Sequence, residues 1–250
     1  MQSDQTLPIV VFIGLLLGLA AWIAMSFKRS IYGPVHSILY FINLLLTKLL
    51  WRTEVRGRLN LSPGQGAVFV CNHRAPIDPF FIQLVAGRLV HWMVAAEYFE
   101  LPVVGSMLRF MEAIPTRRGG VDTASTRATI RYATEGQLVG MLPEGRINDT
   151  PAVMLPGRPG AILVAMTARV PIIPCYIHGA PYDGTTWGCF FMPAHVQLIV
   201  GDPIDLSQHH DQPMTAELQA ELTLEMMRAI ARLGGYEDFQ PTLAGRRWKT

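Results

Sequence analysis

The segment from Leu7 to Phe27 contains no charged residue, and a helix that crosses the hydrocarbon core of a membrane needs about 20 such residues. A cleavable signal peptide has a positively charged leader, whereas residues 1–6 contain an acid, Asp4, and no base. The nearest bases, Lys28 and Arg29, lie on the far side of the segment. The positive-inside bias therefore predicts a transmembrane helix with the N-terminus outside and the rest of the chain on the cytoplasmic face.

The composition of the whole chain also indicates contact with a membrane. Half of the residues are hydrophobic, 16% are charged, and the mean hydropathy is +0.26, which is more apolar than is usual for a soluble enzyme. The cysteines, Cys71, Cys175 and Cys189, are odd in number and have no CxxC spacing. Neither a disulfide framework nor a zinc site is indicated.

A second apolar segment, Pro34 to Trp51, carries polar side chains on one side. His36, Asn43 and Thr47 recur at spacings that place them on one helical face. Basic residues follow along the same stretch: Lys48, Arg52, Arg56 and Arg58. We expect an amphipathic helix that lies in the headgroup plane and binds acidic lipids. A second membrane span, which would place the rest of the chain outside, and an ordinary helix packed on the domain are the alternatives.

Beyond residue 58 the pattern becomes that of an α/β domain. Short apolar runs predict strands at Ala67–Cys71, Val90–Ala95, Leu138–Leu142, Ile172–His178 and Val196–Val200. Helices are predicted at Ile77–Ala86, Asp122–Glu135, Arg158–Arg169 and Thr215–Leu233. This alternation predicts a mostly parallel or mixed sheet flanked by helices. We expect membrane-anchoring helices in residues 1–54, the domain in 55–235, and a loose C-terminal tail in 236–250.

One segment at a predicted strand-to-helix turn, Cys71–Phe80, contains a histidine and an aspartate. His73 is able to act as a general base near neutral pH, and Asp78, in the first turn of the predicted helix, is placed to bond the other ring nitrogen. Active sites favour such turns. A surface histidine and a helix-capping aspartate are the structural alternative.

Another candidate segment, Leu142–Asn148, follows a different predicted strand. It contains Glu144, Gly145 and Arg146. Glycine lets the backbone come close to a ligand, and arginine supplies a fixed cation. In a parallel sheet this segment and the His73 segment should open on the same edge. A turn with a charged rim is the alternative.

Arginines are concentrated in and after the segment Ala113–Gly120. Arg117 and Arg118 lie in the segment, and Arg127 and Arg131 follow one helical turn apart. The planar guanidinium binds phosphate oxygens in pairs, so these residues are candidates for a phosphate site. A solvated basic face is the alternative.

Two other segments admit less specific interpretations. The prolines of Val170–Cys175 indicate either an edge strand or part of a substrate channel. The tract His209–Asp211 lies among polar residues, which predicts a solvated loop rather than a metal site. No GxSxG nucleophile elbow occurs. A covalent role for Cys71, two residues before His73, is an alternative from nucleophilic catalysis.

Four segments together resemble the glycerolipid acyltransferases, the PlsC-like 1-acylglycerol-3-phosphate acyltransferase family, over about residues 55–205. The motifs are Asn72 with the HxxxxD of His73 and Asp78, the Ile-Pro-x-x-Arg that ends at Arg118, the Pro-Glu-Gly at 143–145, and the Val-Pro-Ile-Ile-Pro at 170–174. Members of this family often have membrane-associated N-terminal helices.

The resemblance implies a reaction and a set of roles. His73 would be the base, Asp78 would orient it, and Arg118, Glu144 and Gly145 would shape the acceptor site. Fatty acyl transfer would run from an acyl thioester, acyl-CoA or acyl-carrier protein, to a lysophospholipid, with no other cofactor, no metal and no nucleic-acid partner. Another lysolipid or aminolipid acceptor, and a catalytically silent lipid-binding protein, are the alternatives.

The chain departs from the family pattern at three places. Ala75 replaces a common serine, Arg117 replaces a common aspartate, and Glu144-Gly145 is followed by Arg146-Ile147 instead of the usual Thr-Arg. Arg146, Arg117 or both are expected to take over contact with the acceptor phosphate.

Overall fold

The computed structural model describes Val10 and residues 13–14, 34–117 and 123–245. It divides into two compact units, Met1–Ile42 and Asn43–Thr250. Apart from Val10, Ile13 and Gly14, the predicted transmembrane helix Leu7–Phe27 lies outside the described residues. In the described ranges, no helix is both long enough and apolar enough to cross a membrane.

A seven-stranded sheet forms the centre of the second unit. Its strands are β1 (Glu54–Arg56), β2 (Ala67–Cys71), β3 (Val90–Ala95), β4 (Ile114–Thr116), β5 (Leu138–Met141), β6 (Ile172–His178) and β7 (Gln197–Val200). The order across the sheet is β1-β7-β6-β2-β5-β3-β4. Neighbouring strands are parallel except β6 and β7, which are antiparallel. The α/β class with a mixed sheet is therefore confirmed.

Helices cover both faces of this sheet. Most of α1 (Pro34–Leu45) belongs to the first unit, and the helices of the second unit are α2 (Asp78–Ala86), α3 (Pro102–Phe110), α4 (Thr123–Thr134), α5 (Gly160–Ala168) and α6 (Ala216–Leu233). Side chains of α2 belong to one hydrophobic core, and side chains of α4, α5 and α6 belong to the other. Because both faces of β2 are covered, all five of its residues are buried and apolar.

The end of α1 and the turn after it pack with their polar side inward, within the second unit. Asn43 and Thr47 share a face, as their spacing predicts, but both are buried. Asn43 Nδ2 donates to the carbonyl of Phe80 at 3.0 Å, and Thr47 Oγ1 donates to the carbonyl of Asn43 at 2.6 Å. A buried amide needs such partners. The polar side of this segment is therefore packed on the rest of the second unit at Asn43 and Thr47, and the predicted position of the helix in the membrane surface stays a prediction.

Three elements were missing from the sequence prediction, and one segment was misread. Strands β1 and β4 have three residues each, and α3 is a helix of nine residues. The edge-strand reading of Val170–Cys175 is wrong, since β6 lies between β7 and β2. Pro174 is tolerated there because it lies where the β6–β7 ladder ends, and only its carbonyl is used, by the Gly201 N–H at 2.9 Å.

The ends of two predicted segments also differ. The first residue of the predicted helix Asp122–Glu135 lies outside the described residues, and α4 is described from Thr123. The C-terminal tail was expected to be loose, but hydrogen bonds to Gly157 hold its described part on the domain. The Gly157 N–H donates to the Thr242 carbonyl at 2.8 Å, and the Ala244 N–H donates to the Gly157 carbonyl at 2.9 Å.

Candidate active site

The site lies at the edge of the sheet where the parallel strands β2 and β5 both end. Immediately after β2, the amide of Asn72 binds the neighbouring strand β6. Its Nδ2 donates to the Ile177 carbonyl at 2.9 Å, and its Oδ1 accepts from the Ile177 N–H at 2.8 Å. This pair of hydrogen bonds to one residue fixes the point at which the chain leaves the sheet and enters the His73 segment.

His73 and Asp78 form the pair that their spacing predicts. His73 Nδ1 lies 2.9 Å from Asp78 Oδ2, and the same oxygen accepts from the N–H groups of Arg74 at 2.7 Å and Ala75 at 3.0 Å. Asp78 is fully buried at the start of α2, where the helix dipole also favours a carboxylate. An ionised carboxylate only accepts hydrogen bonds, so the imidazole proton belongs on Nδ1. Nε2 is left with its lone pair.

Glu144 supports this segment from the end of β5. One carboxylate oxygen accepts from the His73 N–H at 2.7 Å, and the other accepts from the Leu155 N–H at 2.6 Å. Burial raises the pKa of Glu144 to about 7, although the same two N–H groups act in the opposite direction. The next residue, Gly145, has φ of +72°, a conformation that favours glycine. Both oxygens of Glu144 are thus engaged by backbone, so its side chain positions the His73 segment.

Arg74 is a structural residue of the site to which the sequence alone gave no role. Its guanidinium donates to the carbonyls of Asn148, Thr150, Ala152 and Val153 at distances of 2.7–3.2 Å. The four acceptors come together only after the loop has folded, so no local pattern reveals them. Arg74 therefore fixes the loop after β5 against the His73 segment.

The arginines considered for phosphate binding occupy different positions. Arg146 follows β5, which is next to β2, whereas Arg117 follows β4, three strand positions from β2. Adjacent strands are about 4.8 Å apart, which places the start of Arg117 roughly 14 Å from β2 and the start of Arg146 roughly 5 Å away. Arg118 lies outside the described residues. Arg127 bonds Thr123, and Arg131 pairs with Glu135 at 4.0 Å, both on exposed parts of α4, as in a solvated basic face.

A further arginine lies close to Arg146. The Arg158 N–H donates to the Pro143 carbonyl at 2.8 Å, which fixes this residue beside the Glu144 turn. Burial lowers the pKa of Arg158, and the positive charge of Arg146 lowers it further. Two neighbouring guanidinium groups repel each other, and an anion between them relieves that repulsion.

A cleft of about 510 Å³ opens beside the site. It is lined by polar and aromatic residues from four segments, among them Arg74, Asn148, Tyr176, His178, Tyr182 and Tyr236. Asn148, which lines the cleft, donates its N–H to the His73 carbonyl at 2.7 Å. The cleft therefore adjoins the backbone of the His73 segment.

The structure disfavours a cysteine nucleophile. Cys71 is fully buried, and burial, followed by the negative charge of Asp78, raises the pKa of its thiol well above the usual value. The reactive thiolate is therefore scarce at neutral pH. The tract His209–Asp211 lies apart from His73, at a 3₁₀ turn after β7, where Asp211 pairs with Arg169 at 3.6 Å.

Comparison with known proteins identifies the class to which this fold and site belong. Residues 52–178 match the Acyltransferase family, and this match spans His73, Asp78, Glu144 and the strands that carry them. The chain belongs to this family and is an acyltransferase.

Particular relatives agree with this assignment. The chain is 28% identical over 171 residues to a 1-acyl-sn-glycerol-3-phosphate acyltransferase of Bacillus subtilis, covering 67% of this chain and 81% of that protein. It is 33% identical over 246 residues to an uncharacterized protein of Mycobacterium leprae, covering 80% of this chain and 62% of that one. The crystal structure of the PlsC acyltransferase of Thermotoga maritima superposes with a TM-score of 0.63 at 18% identity and full coverage of both chains, a likeness of fold. The resemblance found in the sequence is confirmed.

Proposed function

We propose that the protein transfers a fatty acyl group from an acyl thioester, acyl-CoA or acyl-carrier protein, to the free hydroxyl of 1-acylglycerol-3-phosphate, yielding phosphatidate. The observation that carries this proposal is the His73–Asp78 pair, which leaves Nε2 unprotonated at the open edge of the sheet. The Bacillus subtilis relative is named for the same reaction.

The reaction follows from the geometry of this pair. Nε2 of His73 removes the proton of the acceptor hydroxyl, and the oxygen attacks the carbonyl carbon of the thioester. Asp78 stabilises the imidazolium that results. The tetrahedral intermediate then collapses, the carbon–sulfur bond breaks, and the imidazolium returns its proton to the leaving thiolate. No covalent bond to the enzyme is needed, in agreement with the burial of Cys71.

Arginines next to the pair support a phosphate-bearing acceptor. Arg146 and Arg158 lie together beside the Glu144 turn, one strand from His73. A terminal phosphate carries more charge and more free oxygens than a phosphodiester, so it gains more from two guanidinium groups. We assign the acceptor phosphate to Arg146 and Arg158, with Arg117 and Arg118 as further candidates.

A location at the membrane follows from the sequence of the N-terminal segment. We propose that Leu7–Phe27 anchors the enzyme and that the catalytic unit lies on the cytoplasmic face, where Lys28 and Arg29 favour the inner side. The lipid acceptor would then reach the site without leaving the bilayer.

The reaction is tested with the full chain purified in detergent. Release of free thiol from acyl-CoA or acyl-carrier protein should require lysophosphatidate, and mass spectrometry should identify phosphatidate. His73→Ala should lower kcat by about 10²–10⁴-fold, the usual contribution of general acid–base catalysis. Asp78→Asn should also lower kcat, because the amide cannot stabilise the imidazolium.

The matched control is His195→Ala, since His195 is exposed and lies before β7. It should retain the wild-type rate. Thiol release that does not depend on a lysolipid would indicate hydrolysis and would overturn the transfer reaction. A His73→Ala enzyme with near-normal kcat would remove His73 from the mechanism.

A further inference from the structure

Apolar side chains are exposed on two segments of the catalytic unit that are far apart in sequence. Phe191 and Trp187, in and beside the 3₁₀ turn Gly188–Phe191, are 81% and 50% exposed. Leu49 and Leu45, where α1 ends and a π-helical turn follows, are 72% and 42% exposed. Among the large apolar side chains of the described residues, Phe191 is the most exposed. Isolated exposed apolar residues are common, but a group of them marks an interaction surface.

Hydrogen bonds join the two segments. The Ala194 N–H donates to the Leu50 carbonyl at 3.1 Å, and Trp51 Nε1 donates to the Cys189 carbonyl at 3.1 Å. The rings of Trp51 and Phe190 lie 6.0 Å apart. Leu49 and Phe191 therefore belong to segments that hydrogen bonds and a ring contact hold side by side.

The turn that carries Trp187 is held in one shape by polar contacts. Asp183 Oδ1 accepts from the N–H and the hydroxyl of Thr185, at 2.9 and 2.8 Å. Thr185 Oγ1 in turn accepts from the Gly188 N–H at 2.9 Å. The aromatic side chains are presented on an ordered turn, so no ordering of the loop is needed when a partner binds.

The surroundings of this surface favour a lipid bilayer as the partner. Exposed basic residues lie on both sides of Leu49 along the chain, with Glu54 as the acid among them: Lys48 before it, and Arg52, Arg56 and Arg58 after it. The basic residues lie on the Leu49 side of the surface, whereas the exposed Asp183 lies on the Trp187 side. An apolar and aromatic surface beside a basic stretch complements a bilayer with acidic headgroups, in which tryptophan prefers the interface. A protein partner would need acidic groups around an apolar pocket to match the same surface.

We propose that the Gly188–Phe191 turn, together with Trp187 and the Leu45–Leu49 segment, is a membrane-docking surface that inserts Phe191 into the bilayer interface. It is separate from the predicted anchor Leu7–Phe27 and belongs to the catalytic unit itself. The proposal goes beyond the acyl-transfer reaction and does not depend on the identity of the acceptor.

A single fluorescent label tests the insertion. Phe191→Cys is introduced into the full chain, which is reconstituted into vesicles of phosphatidylcholine and phosphatidylglycerol and labelled with an environment-sensitive dye. Burial raises the thiol pKa of Cys71, Cys175 and Cys189, so the introduced thiol reacts selectively. Its emission should shift to the blue, be quenched by brominated lipid, and be protected from aqueous iodide.

The matched control is Leu243→Cys, because Leu243 is also exposed but pairs with Gly157, which lies against Met227 of the opposite core. Its label should remain accessible to iodide. Trp187→Cys is a second site that should behave like Phe191→Cys. Equal iodide accessibility at positions 191 and 243 would overturn the proposal. A blue shift without vesicles that grows with protein concentration would assign the surface to a second copy of the chain and also overturn it. Thiol release in detergent, measured on each variant, separates failure of docking from failure of the proposed reaction.

Discussion

Glu144 links the stability of the site to pH. Its folded pKa of about 7 lies above the usual 4.5, so the folded state holds the proton more tightly than the unfolded state. The resulting stabilisation is fully present below pH 4.5 and is lost as the pH rises through 7. Glu144→Gln removes this titration. The free energy of unfolding of wild type relative to Glu144→Gln should fall by roughly 3 kcal/mol from acid to pH 8.

Urea unfolding of both proteins at a series of pH values measures this difference. Asp202→Asn is the control for a change of carboxyl to amide, because Asp202 is exposed in the loop after β7. A difference between wild type and Glu144→Gln that does not change with pH would mean that Glu144 keeps an ordinary pKa in the folded protein.

Arg146 determines the affinity for the acceptor if it binds the phosphate. Arg146→Ala should raise the KM for lysophosphatidate by about 10–100-fold, since a hydrogen bond to a charged group contributes roughly 1.5–3 kcal/mol. The KM for the acyl donor should change little. Arg127→Ala is the matched control, because Arg127 bonds only its own helix among the contacts described for it. Arg118→Ala tests the family motif in the same assay, and an unchanged acceptor KM in all three variants would contradict the phosphate site.

At the scale of single residues, the sequence predicted local relationships and missed distant ones. The pairing of His73 with Asp78 depends on a short spacing at one strand-to-helix turn, so the motif was sufficient to predict it. Glu144 accepts hydrogen bonds from the N–H groups of His73 and Leu155, and Arg74 donates to the loop carbonyls. These hydrogen bonds join segments that only the strand order brings together. Their partners are backbone groups, which leave no signature in side-chain identity.

At the scale of elements, continuous apolar runs predicted the buried strands well. Ala67–Cys71, Val90–Ala95 and Ile172–His178 have the predicted bounds because both faces of each are covered, and two other strands differ by one residue at an end. The three-residue strands β1 and β4 have no such run. The position of β6 inside the sheet was missed because its prolines resemble those of an edge strand.

The hydrogen bonds from Arg74 hold the loop after β5 in place. Arg74→Lys replaces a planar fork with a single ammonium group that cannot reach four carbonyls at once. Hydrogen exchange in residues 148–153 should become faster, with a loss of about 1–2 kcal/mol in the free energy of unfolding. Arg109→Lys is the control, since Arg109 is exposed and donates to one carbonyl, that of Phe99. Unchanged exchange in the loop would show that its turns hold it without Arg74.

At the scale of the whole molecule, the boundary of the catalytic unit can be tested by truncation. The sequence suggested that the domain begins at residue 55, but the compact unit begins at Asn43. Trp51 explains the difference. It has no exposed surface, donates to the Cys189 carbonyl at 3.1 Å, and packs against Phe80 and Phe81 with ring centroids 6.0 and 5.4 Å away.

A chain of residues 43–250 should therefore fold in detergent, whereas residues 55–250 should be destabilised or unfolded. Loss of a large buried aromatic side chain costs about 3–5 kcal/mol, which is a large fraction of the 5–15 kcal/mol that typically stabilises a domain. Thermal unfolding and hydrogen exchange measure the difference between the two truncations. Trp51→Ala in the 43–250 chain separates the contribution of the tryptophan from that of the rest of the segment. If residues 55–250 unfold at the same temperature as residues 43–250, the core does not depend on Trp51, and the domain begins where the sequence placed it.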